Sequence, residues 1–157
     1  VSTTIAAMPR APSRRNLALL LLRSREGVMA HFRAILHQHG LTEQQWRVLR
    51  ALLDESPLEP RQICERCQLL SASATGVLSR MEEMGLVQRE RMAEDQRRVW
   101  VSITPKSRAL ARRIVPLIDA QYRELEQRIG ADLLAQVYAT LDQLLQRLDA
   151  PPEPGAT

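Results

Sequence analysis

Apolar residues recur at helical spacing along most of this chain and give way to alternation in one short stretch. Leu17, Leu20, Leu21, Val28, Phe32, Ile35 and Leu36 supply the apolar side of a long helix from Leu17 to about His39, which Gly40 ends. Thr42 caps a second helix, with Gln45 completing a capping box and Trp46, Leu49, Leu52 and Leu53 facing inward. Pro60 opens a short third helix, Arg61 to Cys67, and a turn at Gln68 to Leu70 leads into a fourth. This fourth helix spans Ser71 to about Met84, with Ser71 or Ser73 as N-cap and Gly85 as its stop. Val77, Leu78 and Met81 form its buried stripe, joined by Leu70 before it and Leu86 after it.

Leu86 and Val87, then Val99, Val101 and Ile103, read as two strands with one buried face. Gln88 to Arg98 is the hairpin between them, with a polar, glycine-free tip about eight residues long. Thr104 and Pro105 then begin a fifth helix, to about Arg128, which Pro116 should kink. After Ile129-Gly130, a sixth helix runs from Ala131 to about Leu148 and is rich in leucine. Its apolar surface exceeds what one small domain needs, so the first, fifth and sixth helices are expected to join two copies of the chain.

Two short helices joined by a tight turn and followed by a hairpin make a winged helix-turn-helix, with Ser71 to Met84 as the recognition helix. Ser71, Ser73, Thr75, Gly76 and Ser79 are small enough to let that helix lie close in a major groove, and Arg80 can read guanine or hold phosphate. On the hairpin, Arg91, Arg97 and Arg98 are candidates for DNA, an arginine at the tip entering a minor groove. Asp95 repels phosphate, so its role is to hold an arginine in a bidentate pair and shape the tip.

Leu86-Val87, Asp95-x-Arg97 and Val101-x-Ile103-Thr104 together resemble the signature of the MarR family, and Leu41 to Trp46, LTEQQW, resembles its second-helix entry. More closely, REGVMAHFR, LTEQQWRVLR, ATGVLSRME and DQRRVWVSIT are similar to the HpaR-like branch, named for homoprotocatechuate degradation. The resemblance covers roughly Leu17 to Leu148 and departs at Ser107, where many members have glycine. It implies a mainly α fold with a small β-hairpin wing, built as an intertwined helical homodimer. It implies a double-stranded, pseudo-palindromic operator and repression released by a small aromatic carboxylate. The branch points to homoprotocatechuate or 4-hydroxyphenylacetate, although an arginine clamp accepts any planar carboxylate, a hydroxynicotinic acid included. The division that follows is a DNA-binding domain at 41–104 between two parts of a dimerisation region, 16–40 and 105–148. Tails at 1–15 and 149–157 are expected to be mobile.

Composition changes this picture little. The 157 residues carry a net charge of +4, which suits a polyanionic partner without establishing one. No apolar run is long enough for a membrane span and no signal-peptide pattern is visible, so a cytoplasmic location is expected.

A candidate effector pocket lies between the first, second and fifth helices. Arg25, Met29, His31, Phe32 and Arg33 lie on or near the first helix, and Trp46, Arg47 and Arg50 on the second. Arg47 and Arg50 share one helix face and can grip a carboxylate, with the ring against Met29, Phe32 or Trp46. The plainer alternatives are solvated or ion-paired arginines and a core tryptophan.

Cys64-Glu65-Arg66-Cys67 has a spacing that recurs in thiol redox and zinc sites. Zinc needs four ligands, no second C-x-x-C exists, and His31, His37 and His39 are on another helix, so no metal is expected. Thiol sensing stays open beside simple packing, as does use of the winged domain for protein contacts. No nucleophile with its base, phosphate-binding glycine loop or carboxylate pair stands at recognisable spacing, so neither an enzyme nor a cofactor is expected.

Overall fold

The computed structural model describes residues 15–91 and 98–150. The elements are α1 (Leu17–Gln38), α2 (Glu43–Asp54), α3 (Pro60–Cys67), α4 (Ser71–Glu83), β1 (Val87–Arg91), β2 (Val99–Ile103), α5 (Pro105–Ile129) and α6 (Ala131–Asp149). The chain divides into two units, Val1–His31 and Phe32–Thr157, with the boundary inside α1. In the first unit, the Asn16 side chain accepts the Leu19 amide at 2.9 Å and so caps α1, and Leu17, Leu19, Leu21 and Leu22 are exposed.

In the second unit the helix ends follow local chemistry. Thr42 and Gln45 form the reciprocal capping box, the Thr42 amide donating to Gln45 Oε1 at 2.9 Å and the Gln45 amide to Thr42 Oγ1 at 3.2 Å. Pro60 occupies the first turn of α3, where its missing amide costs nothing. Gly85, at φ +70°, closes α4: its amide donates to the Glu82 carbonyl at 2.8 Å and that of Leu86 to Met81 at 2.8 Å.

The start of α4 differs from the sequence reading. Its N-cap is Leu70, not Ser71 or Ser73, and no side chain caps the first turn. Leu70 is exposed, and Leu69 takes the buried place expected of it. Ala74, with Leu78 and Met81, is buried on the core side of α4, whereas Val77 is half-buried.

β1 and β2 pair antiparallel from Val87↔Ile103 to Arg91↔Val99. Gln88 to Arg91, expected in the hairpin loop, belong to the strand, and the connection is 92–98. Past Val87 every β1 side chain is exposed, so pairing there is carried by the backbone with no apolar signature. The link between α2 and α3 runs along the other edge of β2. Leu58 and Val101 exchange both amide–carbonyl bonds, at 3.0 and 2.8 Å, and the Ile103 amide donates to Ser56 Oγ at 3.1 Å.

Val48, Leu49, Leu52, Leu58, Ile63 and Met81 form the fully buried centre of the winged part. α5 continues on both sides of Pro116 and buries Ala111, Ile114, Ile118 and Leu125. α6 buries nothing: Leu133, Val137, Tyr138, Leu145 and Leu148 are exposed along it. No helix among the described residues is long and apolar enough to cross a membrane.

Candidate functional site

α3, the turn at Gln68 to Leu70, and α4 form the helix-turn-helix. Gln68 sits in the left-handed region at φ 49°, and the Leu69 amide returns to the Cys64 carbonyl at 3.0 Å, which fixes the angle between the two helices. With Ala74, Leu78 and Met81 buried, α4 turns Ser71, Ser73, Thr75, Gly76 and Arg80 to solvent, while Ser79 is half-buried. Thr75 Oγ1 donates to the Ser71 carbonyl at 3.2 Å, and Arg80 lies 3.7 Å from Glu83. Every expected contact on this helix therefore lies outside the core, on a surface of small hydroxyl groups with one guanidinium.

The hairpin is fastened at its root. Arg89 Nε donates to Glu82 at 2.8 Å, and this bond holds the Glu82 carboxyl below the usual carboxylate range. Arg98 does not project freely. It is bound to the Glu59 carboxylate, with Nε to Oε1 at 3.0 Å, and its guanidinium stands 5.4 Å from the centre of the Trp100 ring. Glu59 is itself the N-cap residue of α3, so this pair ties the hairpin to the helix-turn-helix. Arg91 is exposed at the end of β1. Asp95 and Arg97 lie outside the described residues.

A second cluster joins α1, α2 and α5 within the second unit. The Phe32 and Tyr122 rings meet at 4.6 Å between centroids, tilted by 44°. Burial raises the Tyr122 phenol pKa, the nearby Tyr138 adds to the rise, and the Arg50 charge opposes it. Sequence reasoning passed over Tyr122; the available signal was an aromatic side chain on the fifth helix of a chain with only 3% aromatic residues. Trp46, one turn before Arg50 on α2, is buried at 8% exposure.

The two arginines of the expected clamp are engaged differently. Arg47 turns toward α3, where Nη1 donates to the Cys67 carbonyl at 2.8 Å, a last-turn carbonyl lacking a helical donor. Its Nε is buried without a hydrogen-bond partner. Arg50 is exposed and is left as the clamp's remaining cation. Arg33 is held by Glu43 at 2.6 Å. Arg25, Met29 and His31 belong to the first unit, where Arg25 pairs with Glu26 and Met29 and His31 are half-buried.

Cys64 and Cys67 are free thiols in the last turn of α3. Desolvation pushes the Cys67 thiol above its ordinary pKa despite the nearby Arg47, and the negative end of a helix dipole disfavours a thiolate further. No group of side chains among the described residues could hold a metal ion.

A model described as the MarR family matches residues 39–98, from the end of α1 to the hairpin. The homoprotocatechuate degradative operon repressor of Escherichia coli is 36% identical over 130 residues, covering 83% of this chain and 88% of the repressor. A crystal structure of a transcriptional regulator, 39% identical, superposes with a TM-score of 0.80 over 88% of this chain and 100% of its own. That of NadR in complex with 4-hydroxyphenylacetate, 32% identical, gives 0.71 over 87% and 97%. With its helix-turn-helix, its hairpin and relatives this similar over most of both chains, the chain belongs to the MarR family of winged-helix transcriptional regulators.

Proposed function

We propose that this protein is a homodimeric repressor of genes for aromatic-acid breakdown, released from its operator by a small aromatic carboxylate in the cytoplasm. The observation that carries the effector class is the Phe32–Tyr122 ring pair with Arg50 beside Tyr122. Tyr122, exposed and backed by the buried Phe32, can offer its ring to another, and the exposed Arg50 guanidinium beside it can take a carboxylate. The relatives agree in class: one is a repressor of a homoprotocatechuate degradative operon, and another has a structure in complex with 4-hydroxyphenylacetate.

The exposed apolar length of α6 supports pairing of two chains. Two recognition helices set about 34 Å apart then enter successive major grooves of one DNA face. An effector bound between α1, α2 and α5 acts by favouring a spacing that DNA does not fit, for which a differential affinity of a few kcal/mol is enough.

The test is a fluorescence-anisotropy titration against DNA upstream of the protein's own gene, at two salt concentrations, with and without aromatic acids. Tight, salt-dependent binding relieved by one acid is the expected result, and Arg50→Ala should need at least tenfold more of that acid while binding DNA as before. Specific binding that no aromatic acid relieves would remove the effector class.

A further inference from the structure

Leu70 stands apart from the other exposed large apolar side chains. Among the described residues eleven others are exposed, and all of them lie on α1, α5 or α6. Leu70, at 78%, is the most exposed of that set and the single one among the described residues between Leu41 and Thr104. It also breaks a local rule. It is the N-cap of α4, with extended backbone at φ −69° and ψ 140° and no side-chain cap bond, at a position where serine, threonine, asparagine or aspartate would satisfy a free amide. A leucine that neither packs nor caps has exchanged local stability for something else.

Its place in the fold says what. The N-terminal residues of a recognition helix contact base edges, and Leu70 immediately precedes the exposed Ser71, Ser73 and Thr75. The apolar group that base edges present in a major groove is the 5-methyl of thymine. We propose that Leu70 packs on a thymine methyl in each operator half-site and is a specificity-determining residue of this regulator. The hydroxyl and guanidinium groups after it bond to base edges and phosphates but cannot sense the methyl itself. Leu70 can, because the contact removes that methyl from water.

This assignment rests on the regulator reading above, and the experiment separates the two. The operator, narrowed by footprinting, is remade with each thymine in turn replaced by deoxyuridine, which removes only the methyl group. The wild-type protein should bind about fourfold more weakly at one thymine of each half-site, the worth of one apolar carbon moved out of water. Leu70→Ala should bind the natural operator more weakly and be indifferent to that replacement. Leu70→Ser should be equally indifferent while melting no lower than wild type, because serine supplies the missing cap, so that a loss of stability cannot explain the result. A flat deoxyuridine scan with wild-type protein, or a penalty that persists in Leu70→Ala, would overturn the assignment. Absence of any sequence-specific binding by wild type would overturn the regulator reading and this assignment together.

Discussion

Ser107 shows how a single side chain can settle a junction. It replaces the glycine common at this position of the family, is fully buried, and donates its hydroxyl to the Leu86 carbonyl at the start of the hairpin. Thr104 works from the same place, its Oγ1 donating to the Gly85 carbonyl at 2.8 Å and accepting the Ser107 amide at 3.2 Å. Together they bind the end of α4, the root of the hairpin and the first turn of α5. Ser107→Ala leaves the Leu86 carbonyl with two long contacts from Thr104, the amide at 3.4 Å and Oγ1 at 3.3 Å, and should lower unfolding free energy by about 1–2 kcal/mol in a urea titration. The sequence made Thr104 legible as a cap because the threonine–proline pair is a local signal. It could not show that Ser107 finishes the same joint, since its acceptor lies 21 residues away. Tyr122 escaped notice for the same reason: its partner Phe32 is on another helix. Arg47 and Arg50 were placed on one face by spacing alone, and only the approach of the α3 terminus shows where Arg47 is drawn.

At the scale of elements, caps and periodicity carried most of the fold. Thr42 with Gln45, Pro60, Gly85 and Gly130 punctuate the helices within a residue or two of where the sequence puts them. The exception among the elements is β1, whose Gln88 to Arg91 carry no apolar alternation because only their backbone is engaged. The Glu59–Arg98 pair, 39 residues apart in sequence, gives the hairpin a second mooring beside the Leu58–Val101 bridge. Both side chains are partly exposed, so the pair adds little to stability, within about 1 kcal/mol. Its worth is in orientation. Glu59→Gln should leave the melting temperature within a few degrees of wild type and weaken operator binding by roughly fivefold, the equivalent of about 1 kcal/mol. Arg98→Ala should do the same with an unchanged salt slope. A slope reduced by about one unit would instead make Arg98 a direct phosphate contact.

For the molecule as a whole, α6 is the feature that a lone chain does not explain. Leu133, Val137, Leu145 and Leu148 lie along one side of a 19-residue helix and none of them is buried. Leu145→Asp should give a monomer in sedimentation at micromolar concentration and abolish tight operator binding, because a carboxylate cannot enter an apolar seam unpaired without a cost of several kcal/mol. A dimer unaffected by that change would move the seam elsewhere.

That uncovered stripe also has a genetic consequence. Under the proposed pairing, subunits that hide α6 against each other would pair with whatever copy is at hand, whether or not its reading head works. A defect confined to α4 or the hairpin leaves the stripe intact, so such a subunit captures a good one and leaves the pair with a single hand on the DNA. Alleles damaged in the reading head should therefore be dominant in a cell carrying both forms, whereas alleles damaged in α6 should be recessive.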